Sequence, residues 1–401
     1  MFKKVLALSF VLMATLSYSQ DKKPKFGKGI VIEGENYKLK AAFRFQNLFT
    51  NEWNIRNDDF KYVEGLKSNF MVRRARLKFS GWAYTPKLKY KMELGLSNKD
   101  LSGGNGPEYK YASRMILDAY LEWNFYKNFS ILVGQTKLPG NRERIVSSAN
   151  MQFVDRSRLN SKFTLDRDMG VMLKHHFKIG NNFLIKEVYS FAQGEGRNVT
   201  AGAFGGFSHT FKVEFFPFGD FKSKGAYVGG DIKREETPKL AVAFAYNINN
   251  KAVRERGQKG SYLINQAGDY VGKTINTTFA DMMFKYKGFS LMAEVANRLT
   301  TDHNPNVYED DDSTLVGTYF TGFGFNTQAG YLFKSNWEIA ARYTMITPQA
   351  SSGHSNTTEY GLALSKYIVG HKLKVQTDLG YRQIAGKDDK LFWRVQFDIH
   401  F

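Results

Sequence analysis

The chain has no cysteine, few prolines and no long apolar run beyond its first sixteen residues. Without cysteine it has no disulfide framework, no cysteine metal cluster and no lipid-attachment cysteine behind a leader. Proline occurs only 8 times in 401 residues, and the mean hydropathy is -0.42. Because a transmembrane helix needs about 20 consecutive apolar residues, these features exclude a helical membrane protein.

The first nineteen residues predict a secretory signal peptide. Residues 1–4 are positively charged, residues 5–16 are apolar, and Ser17, Tyr18 and Ser19 form a small-x-small cleavage site. A transmembrane helix is the alternative, but the apolar run is shorter than the roughly 20 residues that span a bilayer. A signal peptide that is cleaved after Ser19 directs the chain out of the cytoplasm, so nucleic acid is not an expected partner.

Aromatic residues, glycine and positive charge are plentiful. The chain contains 34 Phe, 22 Tyr and 36 Gly, a composition that favours many strands joined by polar turns. Its 57 Lys and Arg residues outnumber 38 Asp and Glu, which gives a formal net charge of +19. An exported chain with this charge is expected to meet anionic solutes, lipopolysaccharide or another acidic surface.

The last eleven residues, LFWRVQFDIHF, alternate without a slip. Apolar side chains such as Trp393 and Phe397 fall on one face of a strand, and polar ones such as Arg394 and Asp398 fall on the other. This alternation fits both a soluble sandwich and an outer-membrane barrel. The aromatic carboxyl terminus, Phe401, favours the barrel, in which the apolar face meets lipid and the polar face meets a wet lumen.

Comparable alternation recurs in about sixteen segments from Leu39 onward. Bacterial barrels place short turns in the periplasm and long loops outside, whereas a soluble sandwich has no reason to sort its connections by length. The sequence therefore predicts an all-β fold, a transmembrane antiparallel β-barrel of about 16 strands at 37–401, after a short periplasmic extension at 20–36. The predicted short turns lie near Thr85, Lys127, Gly180, Gly288, Ser335 and Gly370, and the long loops at 98–111, 193–206, 247–273 and 299–317.

The polar face of the first strands is markedly basic. For any single residue a solvated positive face is the simpler interpretation, but clustered cations inside a narrow low-dielectric tube raise the local anion concentration and exclude cations. Arginine is also suited to bidentate binding of phosphate or carboxylate. The candidate anion-binding residues of the lumen are Arg44, Arg74, Arg76, Lys78, Lys87, Lys89, Lys91 and, on the closing strand expected to neighbour Arg44, Arg394.

A second basic cluster lies in the long connection at 134–171. Its portion at 147–159 does not alternate cleanly, and we interpret it as a segment that folds inward and narrows the pore, with its carboxylates holding the arginines in place. The alternative is a charged external loop bound to lipopolysaccharide or to a neighbouring subunit. The candidate constriction residues are Lys137, Arg142, Arg144, Arg156 and Arg158.

The chain resembles the phosphate-selective porin family, the O and P type. The resemblance rests on RRARLKFSGWAYTPKLKYKMELG at 73–95, GQTKLPGNRE at 134–143, SSANMQFVDRS at 147–157 and the terminal FWRVQFDIHF, and it covers nearly the whole mature chain. It implies a sixteen-stranded barrel, a homotrimer in the outer membrane, and passive uptake of phosphate or related anions. No cofactor is expected.

Other constellations are weak. The acidic run at 309–312 is interpreted as a solvated external loop, with a calcium site as the alternative, and no metal site or catalytic site is predicted. His175 and His176 cannot share a metal on a strand, because adjacent side chains point to opposite faces. The leading hypothesis is an anion-preferring outer-membrane porin. The alternatives are a general diffusion porin without phosphate selectivity, an adhesion or structural barrel, and a barrel enzyme.

Overall fold

The computed structural model describes residues 26–56, 59–102, 106–110, 112–200, 202, 204–311 and 313–401. The predicted signal peptide at 1–19 lies outside the described residues. No helix in the described part of the chain is long and apolar enough to cross a membrane.

The chain forms nineteen strands within the described residues, and sixteen of them close into one antiparallel barrel. The barrel strands are β2 to β12 and β15 to β19. The bounds are β1 (Ile30–Gly34), β2 (Tyr37–Ile55), β3 (Val63–Ala83), β4 (Thr85–Gly95), β5 (Ile116–Tyr126), β6 (Phe129–Lys137), β7 (Arg167–Ile179), β8 (Phe183–Ala192), β9 (Ser208–Phe216), β10 (Lys239–Ala252), β11 (Lys273–Tyr286), β12 (Phe289–Thr300), β13 (Asn306–Tyr308), β14 (Leu315–Thr318), β15 (Gly322–Leu332), β16 (Trp337–Pro348), β17 (Thr357–Tyr367), β18 (Leu373–Ile384) and β19 (Asp389–His400).

The closing strand pairs with the first barrel strand, as the sequence predicts. Strand β19 runs antiparallel to β2, with Asp389 opposite Ile55 and His400 opposite Arg44. The described part of the predicted periplasmic extension is not free, because β1 pairs with the start of β2 in a hairpin. Closure leaves the barrel without an unpaired edge, which is what a strand fold needs in lipid.

Side-chain alternation sets the two faces of the wall. On β10, Phe244 is exposed while Ala243 and Ala245 are buried in the interior. On β19, Trp393 is exposed and Gln396 is buried. The prediction of an outer apolar face and an inner polar face is therefore confirmed, although much of the interior is filled with protein rather than water.

The connections in the described ranges carry only short helices. Three are α-helical, and three are 3-10 turns. Their bounds are Asn98–Leu101, Arg142–Ile145 and Arg158–Phe163 for the former, and Pro107–Tyr109, Lys222–Tyr227 and Ala350–Ser352 for the latter.

One connection departs from the predicted sorting of short and long loops. The residues between β9 and β10, at 217–238, lie at the end of the barrel where the other connections are short turns, yet they form a long segment that folds inward. Phe221 and Ala226 of this segment pack against Met283 and Met292 on the inner wall. Its apolar residues follow no strand or helix period, so alternation alone does not reveal it.

Candidate functional site

The connection between β6 and β7, at 138–166, folds into the barrel. We call it the inward loop. Its Leu159, Phe163 and Leu165 are almost completely buried and pack against Phe279 and other side chains on the inner wall. Burial of several large apolar side chains, at roughly 1.5 to 3 kcal/mol each, stabilises the loop in the lumen. The inward interpretation of this segment thus matches the structure, and the external-loop alternative does not.

The loop begins with a buried ionic anchor. Arg142, whose side chain is fully buried, donates from Nε to Asp281 at 2.6 Å and from Nη2 to Glu214 at 3.2 Å. Lys212 donates to the carbonyl oxygen of Gly140 at 2.8 Å. These partners lie on β9 and β11, two and four strands along the wall from β7. Arg142 therefore differs from the expectation for a constriction residue, because it faces the wall and not the pore.

The middle of the loop is held against another part of the wall. Gln152 donates to Glu338 on β16 at 2.9 Å, and the Val154 amide donates to Asp378 on β18 at 3.1 Å. Gly324 on β15 makes room for the loop, since a Cβ there would lie 2.7 Å from the Phe163 ring. The loop and the segment at 217–238 also meet, through a hydrogen bond from the Gly229 amide to the Asn150 carbonyl.

The interior that remains open is a strongly basic cavity of about 800 Å³. Seventeen basic side chains and six acidic ones line it among the described residues, so any solute inside it meets mostly positive charge. The basic side chains are Arg73, Arg74, Arg76, Lys78, Lys91, Lys99, Arg114, Lys137, Arg144, Arg156, Arg158, Arg167, Arg197, Arg254, Lys259, Arg382 and Arg394.

A β-bulge brings two consecutive arginines to the cavity. The register between β2 and β3 shifts where Gln46 pairs with Arg74 and Asn47 pairs with Val72. The extra residue, Arg73, donates to Asp155 of the inward loop at 2.7 Å, and Arg74 donates to Gln46 at 2.7 Å. Strict alternation assigns Arg73 to the lipid face, so the bulge is what places it in the site.

The cavity's carboxylates hold some of these cations in place. Asp118 accepts from Arg167 at 2.7 Å and from Lys91 at 2.5 Å. Asp155 lies between Arg73 and Arg394, at 2.7 and 3.4 Å. Such charge-assisted pairs fix the direction of a guanidinium and leave its remaining donors available.

Eight of the lining cations have no carboxylate within 4.0 Å among the described residues. Arg156 donates only to backbone carbonyl oxygens, those of Glu143 and Val146. Lys137 likewise donates to the Arg144 carbonyl at 2.7 Å. No member of this group forms a direct ion pair with a described carboxylate. Its members are Lys78, Lys99, Arg114, Lys137, Arg156, Arg158, Arg197 and Arg254.

The loop cations at the cavity repel one another. Burial, together with nearby Arg76 and Arg167, lowers the pKa of Arg156 to about 10. Burial and nearby Arg167 and Arg76 also lower the pKa of Arg197 to about 10. Lys259 has a pKa well below its usual value for the same reasons, despite an ion pair with Asp166. An anion placed among these groups would relieve that repulsion.

The structure places most of the sequence-predicted residues at the cavity. Arg74, Arg76, Lys78, Lys91 and Arg394 of the wall line it, as do Lys137, Arg144, Arg156 and Arg158 of the constriction set.

Four predicted residues lie elsewhere. Arg44 is buried against Asp398, at 3.0 Å, and against the Ser148 hydroxyl, at 2.8 Å. Lys87 and Lys89 are exposed near the end with short turns. Arg142 anchors the loop, as described above.

Sequence patterns missed several cavity cations on distant loops. Arg197 lies between β8 and β9, and Arg254 and Lys259 lie between β10 and β11. Loops carry no periodic signal that shows where their side chains point, so only their basic character was visible. In the acidic run, Asp311 accepts from the Thr314 amide at 2.9 Å, and Asp312 is outside the described residues. No group of His, Cys, Asp or Glu suited to hold a metal occurs in the described ranges.

Known proteins share both the sequence pattern and the fold. An uncharacterized protein of Aquifex aeolicus (strain VF5) is 23% identical over 360 residues, which cover 83% of this chain and 80% of that protein. The outer membrane channel DcaP of Acinetobacter baumannii superposes with a TM-score of 0.54 at 13% identity, over 93% of this chain and 99% of DcaP. An anion-selective porin from Comamonas acidovorans gives 0.51 at 10% identity, over 91% and 100%.

At these identities the two solved structures show a common fold. The profile of the family described as phosphate-selective porin O and P matches residues 49–380, which is most of the chain. The chain therefore belongs to the phosphate-selective porin O and P family and is a porin of the bacterial outer membrane.

Proposed function

We propose that the barrel is a passive channel for small anions, phosphate or related oxyanions, which cross through the basic cavity. The observation that carries this proposal is the set of eight lining cations without a carboxylate partner in the described chain. A cleft lined by one sign of charge between low-dielectric walls concentrates ions of the opposite sign. Guanidinium groups add bidentate hydrogen bonds that match a tetrahedral oxyanion.

Lys78 lines the cavity, and Lys372 lies in the short turn between β17 and β18. Burial and the nearby Lys40, Lys78 and Lys28 lower the pKa of Lys372 to about 8. Lys28, Lys40 and Lys78 are therefore near enough for their charges to act on the Lys372 amine. An anion leaving the arginine-rich region therefore still has positive charge beside it, as continuous passage requires.

We also propose a homotrimer with lipopolysaccharide around its outer rim. The support is the family, whose resemblance implies a trimer, and the exported, positively charged character of the chain. Native mass spectrometry of detergent-extracted protein tests the trimer: a mass of three chains is expected, and a single-chain mass at all detergent concentrations contradicts it.

Current inhibition tests the choice of anion. The purified protein in a planar bilayer with chloride on both sides should pass a current that added phosphate reduces, because phosphate binds the arginines longer than chloride does. Sulfate at the same ionic strength distinguishes oxyanion binding in general from phosphate preference. A chloride current unaffected by either oxyanion would contradict the proposal and leave a general diffusion porin.

A further inference from the structure

The six short turns at one end of the barrel share an unusual composition. We define them with their flanking residues as 84–87, 126–129, 178–183, 286–289, 333–337 and 366–373. Each contains at least one lysine, and none contains an aspartate or glutamate. Lys127, Lys287 and Lys334 are exposed, and Lys366 is partly exposed. We call these four residues the lysine rim.

Two rim lysines occupy backbone positions that do not suit lysine. Lys127 has a φ of 41° and Lys287 a φ of 45°, in the left-handed region. Two-residue hairpin turns of this kind favour asparagine, aspartate or glycine, which adopt positive φ at less cost. Lys224 and Lys251, outside the rim, also have positive φ, so the backbone marks these two turns as costly for lysine without by itself assigning a role.

Three rim lysines lie over aromatic rings at the same level. The Nζ atom of Lys127 is 5.1 Å from the centre of the Tyr126 ring, and that of Lys287 is 5.0 Å from the Tyr286 ring. The Nζ atom of Lys366 is 5.2 Å from the Trp337 ring. Aromatic girdles mark the headgroup level of outer-membrane barrels, and lysines beside them extend their ammonium groups toward the interface.

The opposite end of the barrel carries exposed charges of both signs. Its long loops carry exposed acids, among them Asp302, Asp310, Asp311 and Asp388. At the end with short turns, the exposed acids Glu33, Glu35, Asp220 and Glu236 lie in the β1–β2 hairpin and in the segment at 217–238, outside the six turns that carry the lysine rim. The complementary partner at that interface is an anionic lipid headgroup, because the rim stands at the level of the aromatic side chains.

We propose that the lysine rim binds the headgroups of anionic phospholipids, such as phosphatidylglycerol, in the leaflet that surrounds the end with short turns. This surface lies outside the cavity, and the inference does not depend on which ions the pore conducts. Each ammonium group of the rim attracts the phosphate of one lipid headgroup, at positions distributed around the barrel's circumference. Because salt screens exposed charges, lipid binding should weaken as the salt concentration rises.

Lipid retention tests this proposal. Purified protein is placed in mixed micelles that contain equal amounts of phosphatidylglycerol and phosphatidylcholine. Native mass spectrometry then counts the molecules of each lipid that remain bound to one barrel. Wild type should retain phosphatidylglycerol in excess. The variant Lys127→Asn, Lys287→Asn, Lys334→Asn and Lys366→Gln should lose that excess by on the order of fivefold. Asparagine suits positive φ, so the two strained turns remain foldable.

A matched control removes four exposed lysines from the other end, as Lys61→Gln, Lys67→Gln, Lys251→Asn and Lys387→Gln, with asparagine at the positive-φ position. The control should keep the wild-type lipid ratio. Equal retention of both lipids by wild type would overturn the proposal, as would an equal loss in the control. The anion selectivity of the rim variant, measured in parallel, should be unchanged, which separates this inference from the pore function.

Discussion

Arg142 of the inward loop lies 2.6 Å from Asp281 on β11 of the barrel wall. Glu214 lies 3.2 Å from the same guanidinium, so one buried cation ties the loop to two strands. Removing one partner of a buried ion pair costs about 3 to 5 kcal/mol, because the remaining charges stay buried without compensation. The position of the loop, and with it the shape of the cavity, depends on this anchor.

Replacing Arg142 by alanine should release the start of the inward loop. We expect a larger and noisier single-channel conductance and weaker anion selectivity, measured in planar bilayers. The control is Arg56→Ala, which removes an exposed pair with Glu64 and should leave the conductance unchanged. Both proteins should keep the heat-dependent electrophoretic shift of a folded barrel. A wild-type conductance for Arg142→Ala would show that the anchor does not hold the loop.

Neutralising the loop cations should reduce selectivity without widening the pore. In the double variant Arg144→Gln, Arg156→Gln, the cavity loses two partly buried positive charges. Such charges interact strongly with a permeating ion, because their low-dielectric surroundings screen them little. The ratio of anion to cation permeability should fall on the order of tenfold. Lys61→Gln, at an exposed position on the outer rim, serves as the control and should keep the ratio. An unchanged ratio in the double variant would remove these residues from the permeation path.

As the pH is raised, anion selectivity should begin to fall at a lower pH than the one at which a fully exposed lysine loses its charge. Burial and the nearby Arg144, Arg256, Arg197 and Arg156 disfavour the charged form of Lys259, so its pKa lies well below the usual value and its charge is lost at a lower pH. As pH rises toward about 10.4, the usual pKa of lysine, the cavity loses this positive charge early and the reversal potential should move toward zero.

The variant Lys259→Arg keeps its proton across this range. Its selectivity should change less than that of wild type between about pH 6.5 and about pH 10.4, roughly the usual pKa values of histidine and lysine. The same pH slope in both proteins would contradict a role for Lys259 in the titration.

Asp155 is expected to limit the positive potential of the cavity. Nearby Arg73, Arg394 and Arg74 hold the pKa of this carboxyl far below its usual range, so it is ionised at every working pH. Asp155→Asn should raise the anion to cation permeability ratio and increase current noise, because Arg73 loses its ionic partner. Asp388→Asn, on an exposed connection, is the control. A lower ratio in Asp155→Asn would mean that arginine orientation matters more than net charge.

Much of the barrel is predictable from the sequence, because one-sided burial imposes a period of two along each strand. The lipid-facing Trp393 and the lumen-facing Arg394 follow from that period, as does the pairing of the last strand with the first. The inward loop is visible only as a break in alternation with many charges. Its position depends on long-range partners such as Asp281, which no local pattern indicates.

The site was less predictable than the wall for three physical reasons. A bulge turns Arg73 inward against its parity. Arg44 has the predicted direction, but Asp398 from the closing strand neutralises it. Arg197 and Lys259 reach the cavity from loops whose course is set by tertiary contacts. The inward course of the segment at 217–238 could not be predicted for the same reason, since the burial of its side chains follows no regular period.

The reversal potential of the purified wild-type protein tests the central claim most directly. The planar bilayer separates solutions with a tenfold difference in potassium chloride concentration, which corresponds to about 1.4 kcal/mol of driving force. The basic cavity predicts a reversal potential that has the sign of the chloride equilibrium potential. A potential of the sign set by potassium, or one near zero, would contradict an anion-selective pore.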